Sequence, residues 1–323
     1  MVKIDLKDRK ILYQLDINSK ISLRKLGSNV KLPKSVVQYR INRLVREGII
    51  KNFYTSIDFY KLGYINLCIH LNYQYYTPET EKNIINQFKK NEESWFIANV
   101  QGKYDLLVMF TVRNMNQFFT FWKKTLIIYR YNIQKADISF IPKTYVFPKD
   151  YLLKNNTSDK QKNVIVDGHS EILIDKKDLN ILHEISLNSR KSLTEIAKKY
   201  NVSSVMIANR IKKLEKMKVI TGYKINIDYS KLGYQLFNVQ YTLKNYDKID
   251  KIISYLKNNP NIISISEVIG NCDINCNYHI NNFNNLHQII KDLLSNFPND
   301  IKNRITVTYP EIYKSNYMPK VKI

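Results

Sequence analysis

The stretch Pro33-Lys34-Ser35-Val36-Val37-Gln38-Tyr39-Arg40-Ile41-Asn42-Arg43-Leu44 has a second version 170 residues later, Ser203-Ser204-Val205-Met206-Ile207-Ala208-Asn209-Arg210-Ile211-Lys212-Lys213-Leu214. In both, the apolar residues fall at helical spacing: Val37, Ile41 and Leu44, then Ile207, Ile211 and Leu214. The remaining positions carry amides, hydroxyls and bases. A helix that lies in a DNA major groove needs such side chains on its outer face. Both stretches read as recognition helices, and the rest of the chain as what positions them.

Working outward, Asp5 is placed to cap a helix whose third residue is Asp8, and Ile11, Leu12 and Leu15 give that helix one apolar stripe. A second helix starts at Ser22, and a turn at Asn29 to Leu32 leads into the recognition helix. Gly48 ends it where a left-handed residue is cheap, and Ile49 to Tyr54 reads as a short wing. The offset of 170 then holds without a gap from Ile4 to Tyr64, pairing Asp5 with Asp175, Asp8 with Asp178, Arg40 with Arg210 and Lys61-Leu62-Gly63-Tyr64 with Lys231-Leu232-Gly233-Tyr234. This is an internal duplication. The second copy offers a capping box in Ser192-Leu193-Thr194-Glu195.

Each winged unit is followed by a segment of another kind. Ile65 to Tyr73 alternates as a half-buried strand does. A helix from about Pro78, strands at Trp95 to Val100 and Tyr104 to Val112, a helix from about Asn116 and a strand from Ala136 follow it. The order β-α-β-β-α-β is the ferredoxin-like unit, and the second copy repeats it from Leu236 to Tyr309. The fold class is therefore α+β, with two copies of a winged helix-turn-helix followed by a ferredoxin-like βαββαβ domain. The expected division is 1–60, 61–153, a polar flexible linker at 154–171, 172–230 and 231–323.

Composition narrows the function. The net charge is +23, from 51 Lys and Arg against 28 Asp and Glu, which points to a polyanionic partner. Residues 1–64 hold 14 basic and 5 acidic residues, and residues 172–234 hold 13 and 6, so the charge gathers on the winged units. The alternative is a solvated basic surface, and the concentration on two helix-rich segments favours a nucleic-acid footprint instead. No apolar run approaches a membrane span and no signal segment is present, so a cytoplasmic protein is expected, with no membrane partner. Three cysteines make no disulfide framework. Cys272 and Cys276 are roughly 13 Å apart if in a strand, a poor spacing for one metal. No nucleophile-base pattern, phosphate loop or nucleotide fingerprint occurs. We expect no catalytic residue, no cofactor and no metal.

A winged helix-turn-helix followed by a ferredoxin-like domain resembles the Lrp/AsnC, or feast/famine, family of transcription regulators. The opening Ile4-Asp5-Leu6-Lys7-Asp8-Arg9-Lys10-Ile11-Leu12, with its second version from Ile174, is similar to the family's start. So are Arg40-Ile41-Asn42-Arg43-Leu44 through Gly48-Ile49-Ile50, and the turn Gly102-Lys103-Tyr104-Asp105. The departures are the duplication itself, Pro33 where the family has a capping Ser, Lys218 where Gly48 stands in the first copy, and Cys272 in place of the turn tyrosine. The resemblance implies a DNA-binding regulator whose ferredoxin-like domains assemble the particle and sense a small ligand such as an amino acid.

The residues expected to touch double-stranded DNA are Lys34, Ser35, Gln38, Tyr39, Arg40, Asn42 and Arg43, then Ser203, Ser204, Asn209, Arg210, Lys212 and Lys213. For Arg40 and Arg210 a phosphate contact is favoured over pairing with a neighbouring acid. One chain should act as a built-in pseudo-dimer, with further self-association through the ferredoxin-like sheets. In the first copy the strand from Leu106 is apolar on both faces and expects cover on both. In the second, Asp273, Asn275, Asn277 and His279 share a polar face with Asn238 and Gln240. That face is either hydrated or the seat of a polar effector, and the resemblance places ligands near the turns. The candidate effector residues are Gly102, Asp105, Gly270, Asp273, Asn275, Asn277 and His279. Two other functions fit the same domain order: an enzyme resembling the sirohaem decarboxylases, and an interaction module without DNA binding.

Overall fold

The computed structural model describes residues 4–153, 164–167 and 172–316. The first copy runs α1 (Leu6–Ile17), α2 (Leu23–Val30), α3 (Lys34–Arg46), β1 (Ile50–Ile57), β2 (Ile65–Tyr73), α4 (Pro78–Lys90), β3 (Ser94–Asn99), β4 (Leu106–Val112), α5 (Met115–Tyr129) and β5 (Ile133–Val146). After β6 (Val164–Asp167), the second copy runs α6 (Lys176–Leu187), α7 (Leu193–Tyr200), α8 (Ser204–Lys216), β7 (Ile220–Ile227), β8 (Gln235–Leu243), α9 (Ile249–Leu256), β9 (Ile262–Ile269), β10 (Ile274–Ile280), α10 (Phe283–Asn296), β11 (Ile301–Thr308) and β12 (Ile312–Ser315).

Local chemistry accounts for the helix ends. The Asp5 carboxylate accepts from Asp8 N at 2.8 Å and the Asp8 carboxylate accepts from Asp5 N at 3.1 Å, a reciprocal cap. Ser203 caps α8 by accepting from Met206 N at 3.1 Å, whereas Pro33 gives α3 no side-chain cap. The capping box expected at Ser192 does not form: Ser192 is the N-cap residue of α7 but makes no side-chain cap bond. Ser22, its counterpart, does accept from Lys25 N, at 3.2 Å. Lys218 takes the same left-handed conformation as Gly48, with φ of 57° against 66°, so the missing glycine changes the cost and not the shape.

The wing corrects the sequence reading. β1 is a full strand and pairs antiparallel with β7 of the other copy, with Tyr54 opposite its own counterpart Lys224. Equivalent bonds flank this point: Ser19 N donates to Tyr223 O at 2.8 Å and Ser189 N donates to Phe53 O at 2.9 Å. The hydroxyls of Ser19 and Ser189, themselves equivalent residues, lie 2.8 Å apart in the interior. A pseudo-twofold axis therefore passes between the winged units. Each unit borrows apolar residues across it. Ile225 and Ile227 enter the core of Ile11, Leu12, Leu15, Leu26, Val37, Ile41 and Leu44. Ile57 joins that of Ile181, Leu182, Ile185, Ile207, Ile211 and Leu214.

The ferredoxin-like units are joined in the same way. Strands follow the order β11-β8-β10-β9-β5-β2-β4-β3-β12. The first half of β5 pairs with β2 and its second half with β9. On the far side β11 pairs with β8, and after three residues β12 pairs with β3, with Gln101 bridging to Thr308. Both ends of the path are thus consecutive in the chain, and the path closes on itself. Closure pairs most of the strand edges, although β12 has no second neighbour among the described residues. It also explains two glycines. A Cβ on Gly102 (φ +136°) would meet Thr306 O at 2.9 Å, and one on Gly270 (φ +144°) would meet Ser139 Cα at 2.9 Å, each across a joint between copies.

Outside the ring, Ile274, Cys276, Tyr278 and Ile280 pack under α9 and α10 through Ile252, Ile253, Leu256, Leu286 and Ile290. Leu106, Val108 and Phe110 pack under α4 and α5. On the opposite face of β4, Leu107 joins Cys68, Val100, Tyr104, Ile141 and Val307, so that strand is covered on both sides as its composition requires. Part of the expected linker is ordered structure: β6 pairs with β5, Lys143 opposite Asp167 and Val146 opposite Val164. The remainder of 154–171 lies outside the described residues.

Candidate nucleic-acid interface

Each recognition helix buries one face. Val37, Ile41 and Leu44 of α3 and Ile207, Ile211 and Leu214 of α8 are in the cores, which leaves the opposite face to solvent. On α3 that face shows Lys34, Ser35, Tyr39, Asn42 and Arg46, with Gln38 half-buried and its Nε2 donating to Asn42 Oδ1 at 2.8 Å. On α8 it shows Val205, Asn209, Lys212, Lys213 and Lys216, with Ser203 exposed at the cap and Ser204 half-buried.

Arg40 and Arg210 clamp the helices to neighbouring acids. Arg40 Nη1 lies 2.8 Å from both Asp5 Oδ2 and Asp8 Oδ1, and Arg210 Nη1 lies 2.7 Å from both Asp175 Oδ2 and Asp178 Oδ1. Asp8 and Asp178 are each 1% exposed, and a buried carboxylate demands a paired cation. The phosphate role favoured for Arg40 and Arg210 thus gives way to the alternative, pairing with a neighbouring acid. Arg43 is also held by Asp8 through Nη2, with Glu47 at 3.9 Å from its Nε. Its counterpart Lys213 has no acid partner among the described residues, and neither do Lys34 and Lys212.

The second copy carries an ion cluster that the first lacks. Glu184 accepts from Lys191 at 2.6 Å, from Lys199 at 2.5 Å and from Tyr200 OH at 2.9 Å. Gln14 and Asn29, the counterparts of Glu184 and Lys199, make one neutral bond of 2.8 Å. Burial pushes the Glu184 carboxyl up, but the bonds from Lys191, Lys199 and Tyr200 outweigh burial and bring it down to about 2. A depressed carboxyl stabilises the fold above its unfolded value, and that contribution is lost as pH falls through the folded value. Between about pH 4.5 and pH 2, Glu184→Gln is therefore expected to lose less stability than the parent. Chemical denaturation across that range checks this, and equal losses would remove Glu184 from the acid response.

The effector residues read from sequence do not converge. Asp105 accepts from Tyr73 N at 2.8 Å and Asp273 from Leu243 N at 2.6 Å, so both pin neighbouring strands. Gly102 and Gly270 serve close approach at the two joints, as above. Asn275 and Asn277 both accept from Asn238 Nδ2, the second at 2.9 Å, and Asn277 donates to Ser264 Oγ at 3.0 Å. His279 sits apart, its Nδ1 2.8 Å from Tyr151 OH and its ring 4.3 Å from that of Tyr229. Burial lowers its imidazole to about 3, so it is neutral.

Sequence reasoning found the second-copy half of the polar seam inside the ring and missed its first-copy partners. Gln240 Nε2 donates to His70 Nε2 at 3.0 Å, and these are equivalent residues meeting on the pseudo-twofold axis. Asn271 Nδ2 reaches Gln240 Oε1 at 3.1 Å and Tyr104 OH at 3.3 Å, Ser139 Oγ donates to Asn271 Oδ1 at 2.7 Å, and Tyr104 OH donates to Asp137 at 3.0 Å. The amides of this face bond to one another across the two copies. The offset of 170 between His70 and Gln240 was the available signal. Cys272 and Cys276 are buried thiols, and no group of three or more metal-ligating side chains occurs among the described residues. No helix among them is long and apolar enough to cross a membrane.

A two-lobed frame that presents two half-buried, basic-faced recognition helices about one axis defines a helix-turn-helix DNA-binding protein. Residues 4–51 match the winged helix-turn-helix DNA-binding family and residues 174–215 match the AsnC-type helix-turn-helix domain. An uncharacterised HTH-type transcriptional regulator of Pyrococcus furiosus is 35% identical over 122 residues, 38% of this chain and 82% of the relative. The HTH-type transcriptional regulator LrpA of Pyrococcus horikoshii is 36% identical over 85 residues, 26% of this chain and 60% of the relative. The chain belongs to the Lrp/AsnC family of helix-turn-helix transcription regulators, and it is a DNA-binding regulator of that type. The siroheme decarboxylase NirDL shares the fold over the whole chain, at 10% identity and a TM-score of 0.68, covering 98% of this chain and 94% of that one. At that identity the likeness is one of fold alone.

Proposed function

We propose that this chain regulates transcription in the cytoplasm as a one-polypeptide pseudo-dimer. Its two recognition helices enter successive major grooves on one face of the duplex, about one turn or a multiple apart. The observation that carries this is the shared frame: β1 and β7 bind the two winged units to one another, so α3 and α8 are fixed as a pair. Electrostatic capture by the exposed bases comes first and base reading by the outer faces second. The test is a mobility-shift titration with Lys212→Ala and Lys213→Ala. Both are expected to weaken binding several-fold without changing the melting temperature. Unchanged affinity in both would remove α8 from the interface. Arg43→Ala is a poor probe, because it strips a partner from buried Asp8.

The effector belongs to this reading as its finer part. A cleft of about 880 Å³ lies between β7 and the β11–β12 strand, lined by Lys51, Asp228, Tyr229, Tyr309, Glu311 and Lys314 among others. In the first copy β6 lies beside the equivalent strand β5. Charges of both signs with tyrosines around them suit a zwitterion such as an amino acid. An amino-acid panel followed by thermal shift is expected to yield at least one stabilising ligand whose effect is lost in Asp228→Asn. A shift that survives this change places the ligand elsewhere, and no shift with any of them ends the effector reading. Self-association of whole chains would proceed through outer side chains of the ferredoxin-like units. Tyr75 and Tyr131, whose rings stack at 5.3 Å, with exposed Ile127 and Ile128 close by in sequence, offer one apolar surface suited to it.

A further inference from the structure

The two recognition helices share a scaffold and differ in what they present. At the offset of 170 the inward positions keep their chemistry: Val37 and Ile207, Ile41 and Ile211, Leu44 and Leu214, and the clamped Arg40 and Arg210. Among the outward positions Arg46 and Lys216 both stay basic, but five others change. Lys34 is matched by Ser204, Ser35 by Val205, Gln38 by Ala208, Tyr39 by Asn209 and Asn42 by Lys212. None of these five pairs has similar hydrogen-bonding chemistry, although the backbone carrying them is the same helix twice.

The physical contents of the two faces are distinct. The first copy shows a phenol, Tyr39 at 62% exposed, beside two amides. The bond from Gln38 Nε2 to Asn42 Oδ1 leaves Gln38 Oε1 as an acceptor and Asn42 Nδ2 as a donor, the pair that an adenine edge takes. The second copy shows Val205, 67% exposed, at the start of α8, where an isopropyl group can meet the methyl of thymine. Asn209 and three lysines follow it. Val205, Met206, Asn209, Arg210 and Lys213 line one shallow groove with Ser203 and Asp175. The β1–β7 pairing holds the two faces as one pair, and the axis positions are themselves unlike: Tyr54 faces Lys224, and His70 faces Gln240.

We infer that this chain recognises a directional DNA target made of two unlike half-sites, one read by α3 and one by α8, and that it binds in a single orientation. The inference rests on the DNA-binding reading above. The first half-site is set by side-chain reading from Gln38, Tyr39 and Asn42. The second carries more of the phosphate attraction, through Lys212, Lys213 and Lys216.

The experiment is selection of duplexes from a random library by the whole chain, followed by titration of the selected duplex and its altered forms. Two different motifs in a fixed order and spacing are expected. Inverting one of them in place should weaken binding about tenfold or more. Tyr39→Ala should relax base preference in one motif only, and Asn209→Ala in the other only. Selection of a palindrome overturns the inference, and so does relaxation of the same motif by both variants. Salt-sensitive binding with no sequence enriched also overturns it, while leaving the DNA-binding reading intact. Absence of any binding to duplex DNA overturns that reading itself.

Discussion

Raising the salt from about 50 mM to about 200 mM is expected to weaken duplex binding by about 10³-fold, if the chain makes about six phosphate contacts. Each neutralised phosphate contributes about −0.9 to the slope of log K against log salt, because a bound cation releases a condensed counterion. The exposed cations on the two helices are Lys34 and Arg46 on α3 and Lys212, Lys213 and Lys216 on α8. Arg40, Arg43 and Arg210 are excluded from that set, since their guanidiniums are already paired with Asp5, Asp8, Asp175 and Asp178. Replacing Lys212 and Lys213 together by alanine should therefore flatten the slope by about 2 units. Replacing Lys31, exposed but outside both recognition helices, serves as the comparison. A slope near zero for the parent chain would mean that its charge is only a solvated surface.

The arginine result shows where sequence ran short. Arg40 and Arg210 stand at matched positions in basic surroundings, which suggested phosphate. The acids that bind them lie 32 and 35 residues away, on the first turn and cap of α1 and α6. Helical periodicity tells which face of α3 is buried but not what the next helix places beside it. The duplication itself was legible, because matched residues need no contact information. So was the βαββαβ order, since alternation over Ile65 to Tyr73 and turns at Gly102 and Gly270 are local signals.

The exchange of strands was not legible. Ile49 to Tyr54 reads only as a short wing, and nothing local says that a strand runs on to Ile57 or which edge it joins. Its partner is the same segment of the other copy because the axis brings like to like. The polar seam follows from the same cause. Asn238 and Gln240 looked like a hydrated or ligand-binding face when only their own copy was considered. His70, Tyr104 and Ser139, which bond to that seam, all come from the first copy. Val164-Ile165-Val166, a short apolar run in a polar segment, likewise became part of a strand beside β5.

Strand exchange has a consequence that sets this frame apart from two winged units on a tether. Ile225 belongs to the second copy by sequence but is fully buried in the core of the first, against α1 to α3. Ile225→Ala removes three carbons and leaves a cavity, which is expected to cost about 2–4 kcal/mol. That is a large part of the stability of a typical domain. The damage should fall across the axis: amide exchange in Leu6–Arg46 should quicken more than in Lys176–Lys216. Ile57→Ala should do the reverse, because Ile57 packs against Leu182, Ile185 and Ile207. Hydrogen exchange read by mass spectrometry resolves the two helix sets. If each substitution instead loosens the helices of its own copy, the shared cores are wrong. If both loosen all six helices equally, the winged units open as one body and only their cooperativity is established. The crossed pattern would mean that a substitution near one half-site weakens reading at the other, so that neither recognition helix is an independent module.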